Sequence, residues 1–248
     1  DYKELQSATA ADGIITGIGA VNAERFGSSR ARTAIIINDY SVLAGTQGYF
    51  HHRKLDRILE VAEKEHLPIV MYTEGGGGRP GDTDITTGSS WLDCQSFTTW
   101  AGLSGSVPRI AVNNGYCFAG NAALFGAADI TIATETSWIG MAGPAMIEGG
   151  GLGSFNPTEI GPIDVQATNG TVDLVAYDEA QATRLAAQCL SYFQGPVTQW
   201  SCVDQTQLRE ILPQDRRFVY EMRDAISILA DTDSFLELRP QYCLLYTS

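Results

Sequence analysis

The sequence predicts an α/β fold in which parallel strands alternate with crossover helices. Short apolar runs of strand type recur at residues 34–37, 69–72, 109–112 and 129–133. Segments with helical spacing lie between them, and strand–helix–strand units of this length join parallel strands through right-handed crossovers. The 26 glycines among 248 residues gather in a few clusters, as happens where backbone must approach backbone or a ligand.

The elements follow in order. Residues 14–21, rich in isoleucine, read as an opening strand, and 34–37 as a buried one. Leu55, Ile58, Leu59 and Ala62 share one face of a helix over 51–65, which Leu67-Pro68 closes. Residues 69–72 form the next strand, a glycine loop covers 75–88, and a helix covers 91–103. A strand at 109–112, a short helix at 119–126 and a strand at 129–133 follow. Thr168-Asn169-Gly170-Thr171 lies between two further runs and predicts a hairpin with type I′ turn chemistry. Asp178 caps a helix to about Tyr192, residues 196–204 connect, and helices near 205–212 and 218–229 end the readable fold. No internal repeat or low-complexity segment interrupts this order.

Composition narrows the function. A net charge of −13 argues against nucleic acid, which needs a basic surface. Arg25, Arg30, Arg32, His51, His52, Arg53, Lys54 and Arg57 nevertheless cluster early, while residues 65–180 carry only Arg79 and Arg109 among Lys and Arg. That cluster suits either a small polyanion or a solvated face. The cysteines at 94, 117, 189, 202 and 243 lack ligand or framework spacing, so neither metal nor disulfides are expected. No apolar run reaches spanning length and no secretory leader opens the chain, so the expectation is a cytoplasmic protein without a membrane contact. The Asn169-Gly170-Thr171 glycosylation pattern then carries no weight. Because the chain opens on Asp1, its native start is expected elsewhere.

The most specific segment is Gly115-Tyr116-Cys117-Phe118-Ala119-Gly120-Asn121-Ala122-Ala123-Leu124, followed by Ala128-Asp129-Ile130. Small residues at a helix mouth leave N–H groups aimed outward, with the positive end of the helix dipole behind them. Such a mouth suits an oxyanion developing on a carbonyl. Tight helix–sheet packing would ask for the same small residues. The loop Thr73-Glu74-Gly75-Gly76-Gly77-Gly78-Arg79-Pro80-Gly81-Asp82 reads either as backbone open to a ligand or as a surface loop. It is no P-loop, since no Gly-Lys-Ser/Thr follows. Gly140-Met141-Ala142-Gly143-Pro144-Ala145-Met146 forms a third cluster, whose methionines suit either a soft apolar lining or a core. Glu148 reads as structural. His51 and His52 lack ligand-spaced partners and read as phosphate contacts or solvated groups.

Residues 115–133 resemble the oxyanion-hole segment of the crotonase superfamily, with its GY-x-x-x-G stretch and D-I-x-I-A strand. Within it the chain is similar to the carboxyltransferase component of biotin-dependent acyl-CoA carboxylases, of acetyl- or propionyl-CoA type. Asp12-Gly13-Ile14-Ile15-Thr16-Gly17 resembles that family's opening strand. The Ser41–Thr46 segment, the helix with His52 and Lys54, and Leu190-Ser191-Tyr192-Phe193 match in the same order.

The resemblance implies the ClpP/crotonase ββα superhelix and a carboxyl transfer from carboxybiotin to the α-carbon of an acyl-CoA. Both compounds would be substrates, with no cofactor bound covalently to this chain. The resemblance assigns the enolate to the backbone at Ala119 and Gly120, and acyl-CoA binding to Gly76, Gly77, Gly78, Arg79, Phe118, Met141, Gly143 and Pro144. It implies biotin carboxylase and biotin carboxyl carrier partners, and a homo-oligomer through the full carboxyltransferase. Crotonase-type hydratases carry a glutamate where this chain has Ala123, which takes no proton. A serine protease of the same superfamily is disfavoured by the absence of Ser from this helix. A non-catalytic acyl-CoA-binding or assembly module is the remaining alternative. Residues 1–235 are expected to be the N-terminal carboxyltransferase domain. Residues 236–248 are the expected lead-in to a missing second domain, with 243–248 foreign.

Overall fold

The computed structural model describes residues 2–79, 94–215 and 217–242. They divide into two compact units, Asp1–Gly195 with Gln241–Ser248, and Pro196–Pro240.

The first unit opens with α1 (Tyr2–Ala8), β1 (Ile14–Ala20), α2 (Ala23–Phe26), β2 (Arg32–Asn38), α3 (Tyr49–Glu65), β3 (Ile69–Tyr72) and α4 (Ser96–Gly102). It continues with β4 (Arg109–Asn113), β5 (Tyr116–Phe118), α5 (Gly120–Gly126), β6 (Ile130–Thr134) and β7 (Trp138–Gly140). The last elements are α6 (Pro144–Gly149), α7 (Ile163–Thr168), β8 (Leu174–Ala176) and α8 (Glu179–Ser191). The main sheet runs β1-β2-β3-β4-β6-β8, and β5 pairs with β7 in a second, two-stranded sheet. From β2 to β8 all pairing is parallel, as expected of strands joined through helices. β1 departs from the expectation and runs antiparallel to β2. The link between them, residues 21–31, falls short of the dozen or so residues that a parallel crossover needs.

Alternation along the strands sends Ile14, Ala34, Ile36, Ile69 and Met71 to one face. There they meet Leu55, Ile58, Leu59 and Ala62 of α3 and Trp100 of α4. Each fully buried Leu or Ile contributes roughly 1.5–3 kcal/mol, so this seam anchors α3 against the sheet. His66 ends α3 in the left-handed region, before the proline acts. Asp129 of the D-I-x-I-A motif holds Arg109 through two bonds of 2.7 and 3.2 Å, while that guanidinium also donates to the Trp100 carbonyl at 2.5 Å. The motif acid therefore ties β4, β6 and α4 together.

Several expectations need correction. Residues 163–168 form α7, and Asn169-Gly170 closes that helix instead of turning a hairpin. Gly170 takes φ 81°, and the Thr171 N–H returns to the Gln166 carbonyl at 3.1 Å, a Schellman closure. Left-handed Gly serves both a hairpin and a helix end, which is why the dipeptide was ambiguous. The helix expected from 91 begins at Ser96 among the described residues; 91–93, like 80–88 of the glycine loop, lie outside them. The short elements α1, α2, α6, β5 and β7 carry too few residues for a periodic signal.

His51 and His52 are buried in α3 and are neither solvated nor free for phosphate. His51 Nε2 donates to Asn38 Oδ1 at 2.7 Å, since the Asn38 amide nitrogen donates to the Tyr72 carbonyl. Burial first, then the charges of His52, Arg79 and Lys54, lower its pKa to about 3. His52 Nδ1 meets Ser96 Oγ at 2.9 Å. The early basic cluster is also partly spent on the protein itself: Lys54 donates to the Ala11 and Ile14 carbonyls, and at the surface Arg32 pairs with Glu65.

In the second unit, Gln205–Gln207 forms a 3-10 turn before α9 (Leu208–Ile211), and α10 (Met222–Leu229) starts later than the expected 218. Arg223 and Glu237 pair there through bonds of 2.6 and 2.9 Å. Among the described residues no helix is long and apolar enough to cross a membrane, and no group of His, Cys, Asp or Glu is placed to hold a metal.

Candidate functional site

The site forms where the glycine segment leaving β3 meets the mouth of α5. Gly75 bonds β5 on both sides, donating to the Tyr116 carbonyl and accepting from the Phe118 N–H at 2.8 Å each. Two residues on, Gly77 accepts from the Gln47 N–H at 2.7 Å, and Arg79 donates its N–H to the Gln47 carbonyl at 2.8 Å. The segment is thus sandwiched between the 43–47 turn and β5–α5. Only glycine fits at its start, because a Cβ on Gly75 would stand 2.2 Å from the Gly45 carbonyl oxygen.

Asn121 holds this meeting point together. It is fully buried; its Oδ1 accepts from the Gly77 N–H at 3.0 Å, and its Nδ2 donates to the Glu74 and Gly45 carbonyls at 3.2 and 3.4 Å. Glu74 fastens the next corner, its Oε1 accepting from the Asn114 N–H at 2.5 Å. Burial pushes the Glu74 carboxyl up to about 7 against the opposing pull of its backbone donors, and the nearby Glu179 raises it further.

The two residues assigned to the enolate differ in availability. Ala119 donates its N–H to the Gly140 carbonyl at 3.0 Å, so that donor is occupied. Gly120 is half-buried, and its N–H makes no hydrogen bond among the described residues. Ala119 sits at φ 51° and ψ −119°, a region that costs a non-glycine residue about 1–3 kcal/mol. That turn swings Gly120 into place at the helix start. Gly77 packs against it: a Cβ on Gly77 would stand 2.5 Å from the Ala119 Cβ and 3.2 Å from the Gly120 nitrogen. Gly78 is exposed with open space on its Cβ side. Its neighbours use their carbonyl and N–H toward Gln47, which turns the Gly78 N–H to the opposite side of that ladder.

The remaining expected residues spread around this point. Arg79 is turned inward: its guanidinium pairs with Asp12 Oδ1 at 2.5 Å and donates to the Thr46 carbonyl at 3.0 Å. Asp12 also accepts from the His51 N–H at 2.7 Å, so this nearly buried pair joins the chain's opening, α3 and the glycine segment. Removing one partner of a buried pair costs about 3–5 kcal/mol. Gly76 is exposed beside the 43–47 turn, with its N–H on the Ala44 carbonyl at 3.1 Å. Phe118 is buried and stacked on Tyr116 at 5.9 Å, and Gly143 lies against it. Pro144 opens α6 from the Gly143 cap. Met141 and Met146 are 67% and 63% exposed, so neither belongs to the core. Leu152 is likewise exposed, and Met141 directly follows Gly140, whose carbonyl holds the Ala119 N–H.

Three participants escaped sequence reasoning: Asp12, Asn121 and Gln47. Gln47 is buried, and its Nε2 has no hydrogen-bond partner. Such an orphaned N–H costs about 1–3 kcal/mol. Its Oε1 lies 2.7 Å from where a Cβ on Gly120 would stand, so an alanine there adds more than a harmless methyl. A polar residue among small ones, in Gly45-Thr46-Gln47-Gly48, was the only available signal.

The model of the carboxyl transferase domain family matches residues 2–244. The methylcrotonoyl-CoA carboxylase beta chain of Dictyostelium discoideum is 28% identical over 94% of this chain and 40% of its own length. The methylmalonyl-CoA carboxyltransferase 12S subunit of Propionibacterium freudenreichii is 26% identical over 96% of this chain and 45% of its own. The chain therefore spans less than half the length of these curated relatives. Among solved structures, a single-chain, multi-domain long-chain acyl-CoA carboxylase superposes with a TM-score of 0.92 at 50% identity, over 97% of this chain and 24% of that one. The hexameric transcarboxylase 12S core, with hydrolysed methylmalonyl-CoA bound, gives 0.75 at 25% identity over 94% of this chain and 45% of that one. The fold is that of the crotonase-like carboxyltransferases, and the chain belongs to the carboxyl transferase domain family.

Proposed function

We propose that the intact protein transfers a carboxyl group from carboxybiotin to the α-carbon of an acyl-CoA, and that this chain holds the acyl-CoA thioester. The observation that carries the reading is the Gly120 N–H, without a partner among the described residues and half-open at the mouth of α5. The Gly78 N–H is its companion. In the step assigned to it, the α C–H bond breaks and its electron pair shifts onto the thioester oxygen, where both donors meet it. The α-carbon then bonds the carboxyl carbon released from N1 of biotin, and that nitrogen keeps the proton. Ala123 and the other side chains of α5 move no proton. Hydrogen bonds that strengthen as charge develops lower the barrier more than they tighten substrate binding.

The substrate expected from sequence was acetyl- or propionyl-CoA. The 50% identity to a long-chain acyl-CoA carboxylase, with the exposed apolar side chains of Met141, Met146 and Leu152, supports a longer acyl group. Biotin carboxylase and carrier domains, and a homo-oligomer, belong to the same proposal. Arg79 acts here through its pair with Asp12, as a positioning residue for Gly76–Gly78.

Glycolic acid in place of Gly120 tests the donor, because it exchanges only the N–H for an ester oxygen and adds no Cβ. In the intact protein, kcat for palmitoyl-CoA carboxylation should fall by roughly 10²–10³ with little change in KM. Turnover at the parent rate would remove Gly120 from the mechanism. Acetyl-CoA outpacing palmitoyl-CoA in the parent would return the substrate to the short-chain class.

A further inference from the structure

We propose that Gln47 contacts the substrate directly, its carboxamide N–H donating to the same thioester oxygen as Gly120; this inference rests on the carboxyltransferase reading. The backbone of Gln47 is spent on Gly77 and Arg79, at 2.7 and 2.8 Å, which fixes where the side chain leaves the ladder. That side chain runs to Gly120. The place a Cβ on Gly120 would occupy lies 2.7 Å from Gln47 Oε1 and 3.1 Å from Phe97 Cζ, so the carboxamide and an aromatic edge close around the glycine.

The residue is only 3% exposed, yet Nε2 has no partner. A flexible polar side chain that ends unpaired inside the protein ordinarily swings to water or gives way to an apolar residue. Here it is kept next to an N–H that also lacks a partner among the described residues. Half a turn of the amide exchanges its oxygen and nitrogen, an assignment decided by whichever partner is present. A carbonyl oxygen arriving at Gly120 selects the orientation with the N–H forward. The donor is then neutral and screened from water, conditions that strengthen a hydrogen bond to a developing negative charge. Gly120 is glycine for this reason: a methyl would displace the carboxamide.

The test uses the intact protein with Gln47→Leu, which keeps the bulk and removes the donor, and Gln47→Glu, which keeps the shape and presents only acceptors when ionised. Carboxylation of palmitoyl-CoA is measured alongside the affinity for palmitoyl-CoA and for S-hexadecyl-CoA, a thioether without the carbonyl oxygen. Gln47→Leu should lower kcat about 10- to 100-fold, less than loss of a sole side-chain donor because two backbone donors remain. KM should stay within about threefold, and thermal stability should hold or rise, since an unpaired buried polar group has gone. Gln47→Glu should be slower still. Each variant should lose affinity for the thioester relative to the thioether. Equal loss for both ligands, parent-like turnover, or a fall in activity that tracks a fall in melting temperature would overturn the assignment. If Gln47→Leu does not fold, Gln47→Glu carries the same comparison. A parent that fails to carboxylate any acyl-CoA sinks the carboxyltransferase reading instead, while the thioester–thioether comparison still decides Gln47.

Discussion

Glu74 illustrates how one side chain links the site to the stability of its surroundings. Its carboxyl is pushed up to about 7 mainly by burial, although the Asn114 N–H favours the charged form. In the unfolded chain an ordinary glutamate titrates near 4.3. The folded state therefore holds more protons than the unfolded one between about pH 4.5 and 7. Stability contributed at low pH is lost as pH rises through that window, by about 2–4 kcal/mol in all, and levels off above it. Glu74→Gln keeps an acceptor for Asn114 and removes the titration. Its denaturation midpoint should lose the parent's slope between pH 5 and 7 and exceed the parent above pH 7.5. Parallel pH profiles for the two proteins would show that Glu74 does not carry the slope.

At the scale of elements, the entry to α5 and the glycine segment are shaped for each other. Ala119 holds a conformation that suits glycine, and its Cβ lies where a side chain on Gly77 would have to go. Ala119→Gly relieves the turn and vacates that space, so it should leave turnover within about threefold and the melting temperature unchanged or higher. Gly77→Ala alone should cripple both, because its φ of 86° and the clash act together. The double variant should recover part of the lost stability by removing the clash, but not all of it, since the strain at residue 77 stays. Full additivity of the two changes in a double-mutant cycle would mean that the two positions do not share this space.

At the scale of the molecule, the proposed mechanism draws on backbone donors at the α5 mouth and takes no proton-moving side chain from α5. The chain spans 40% to 47% of the length of several curated relatives. The chain by itself should bind a CoA ester weakly and should not move a carboxyl group from carboxybiotin to it. Malonyl-type products, followed by chromatography over a range of acyl-CoAs, give the readout. Robust turnover by the chain alone would place the complete active site within these residues.

Much of the architecture was legible because periodicity is local. The buried runs of β2, β3, β4 and β6 and the apolar stripe of α3 declare themselves within a few residues, and Asp178 announces α8. That the Gly75–Arg79 and Ala119–Gly120 segments lie in close backbone approach was legible too, since clustered small residues mark it. What the small residues were approaching was not. Whether Asn169-Gly170 turns a hairpin or ends a helix depends on which carbonyl lies behind it. Which of two adjacent N–H groups stays available at α5 depends on Gly140, some twenty residues away, reaching Ala119 first. Arg79 turned inward because Asp12, distant in sequence, is its neighbour in space. Gln47 acquires meaning only beside Gly120. Sequence determined the elements and the chemistry they can offer; long-range hydrogen bonds decided which donors are spent on the fold and which are left unpaired among the described residues.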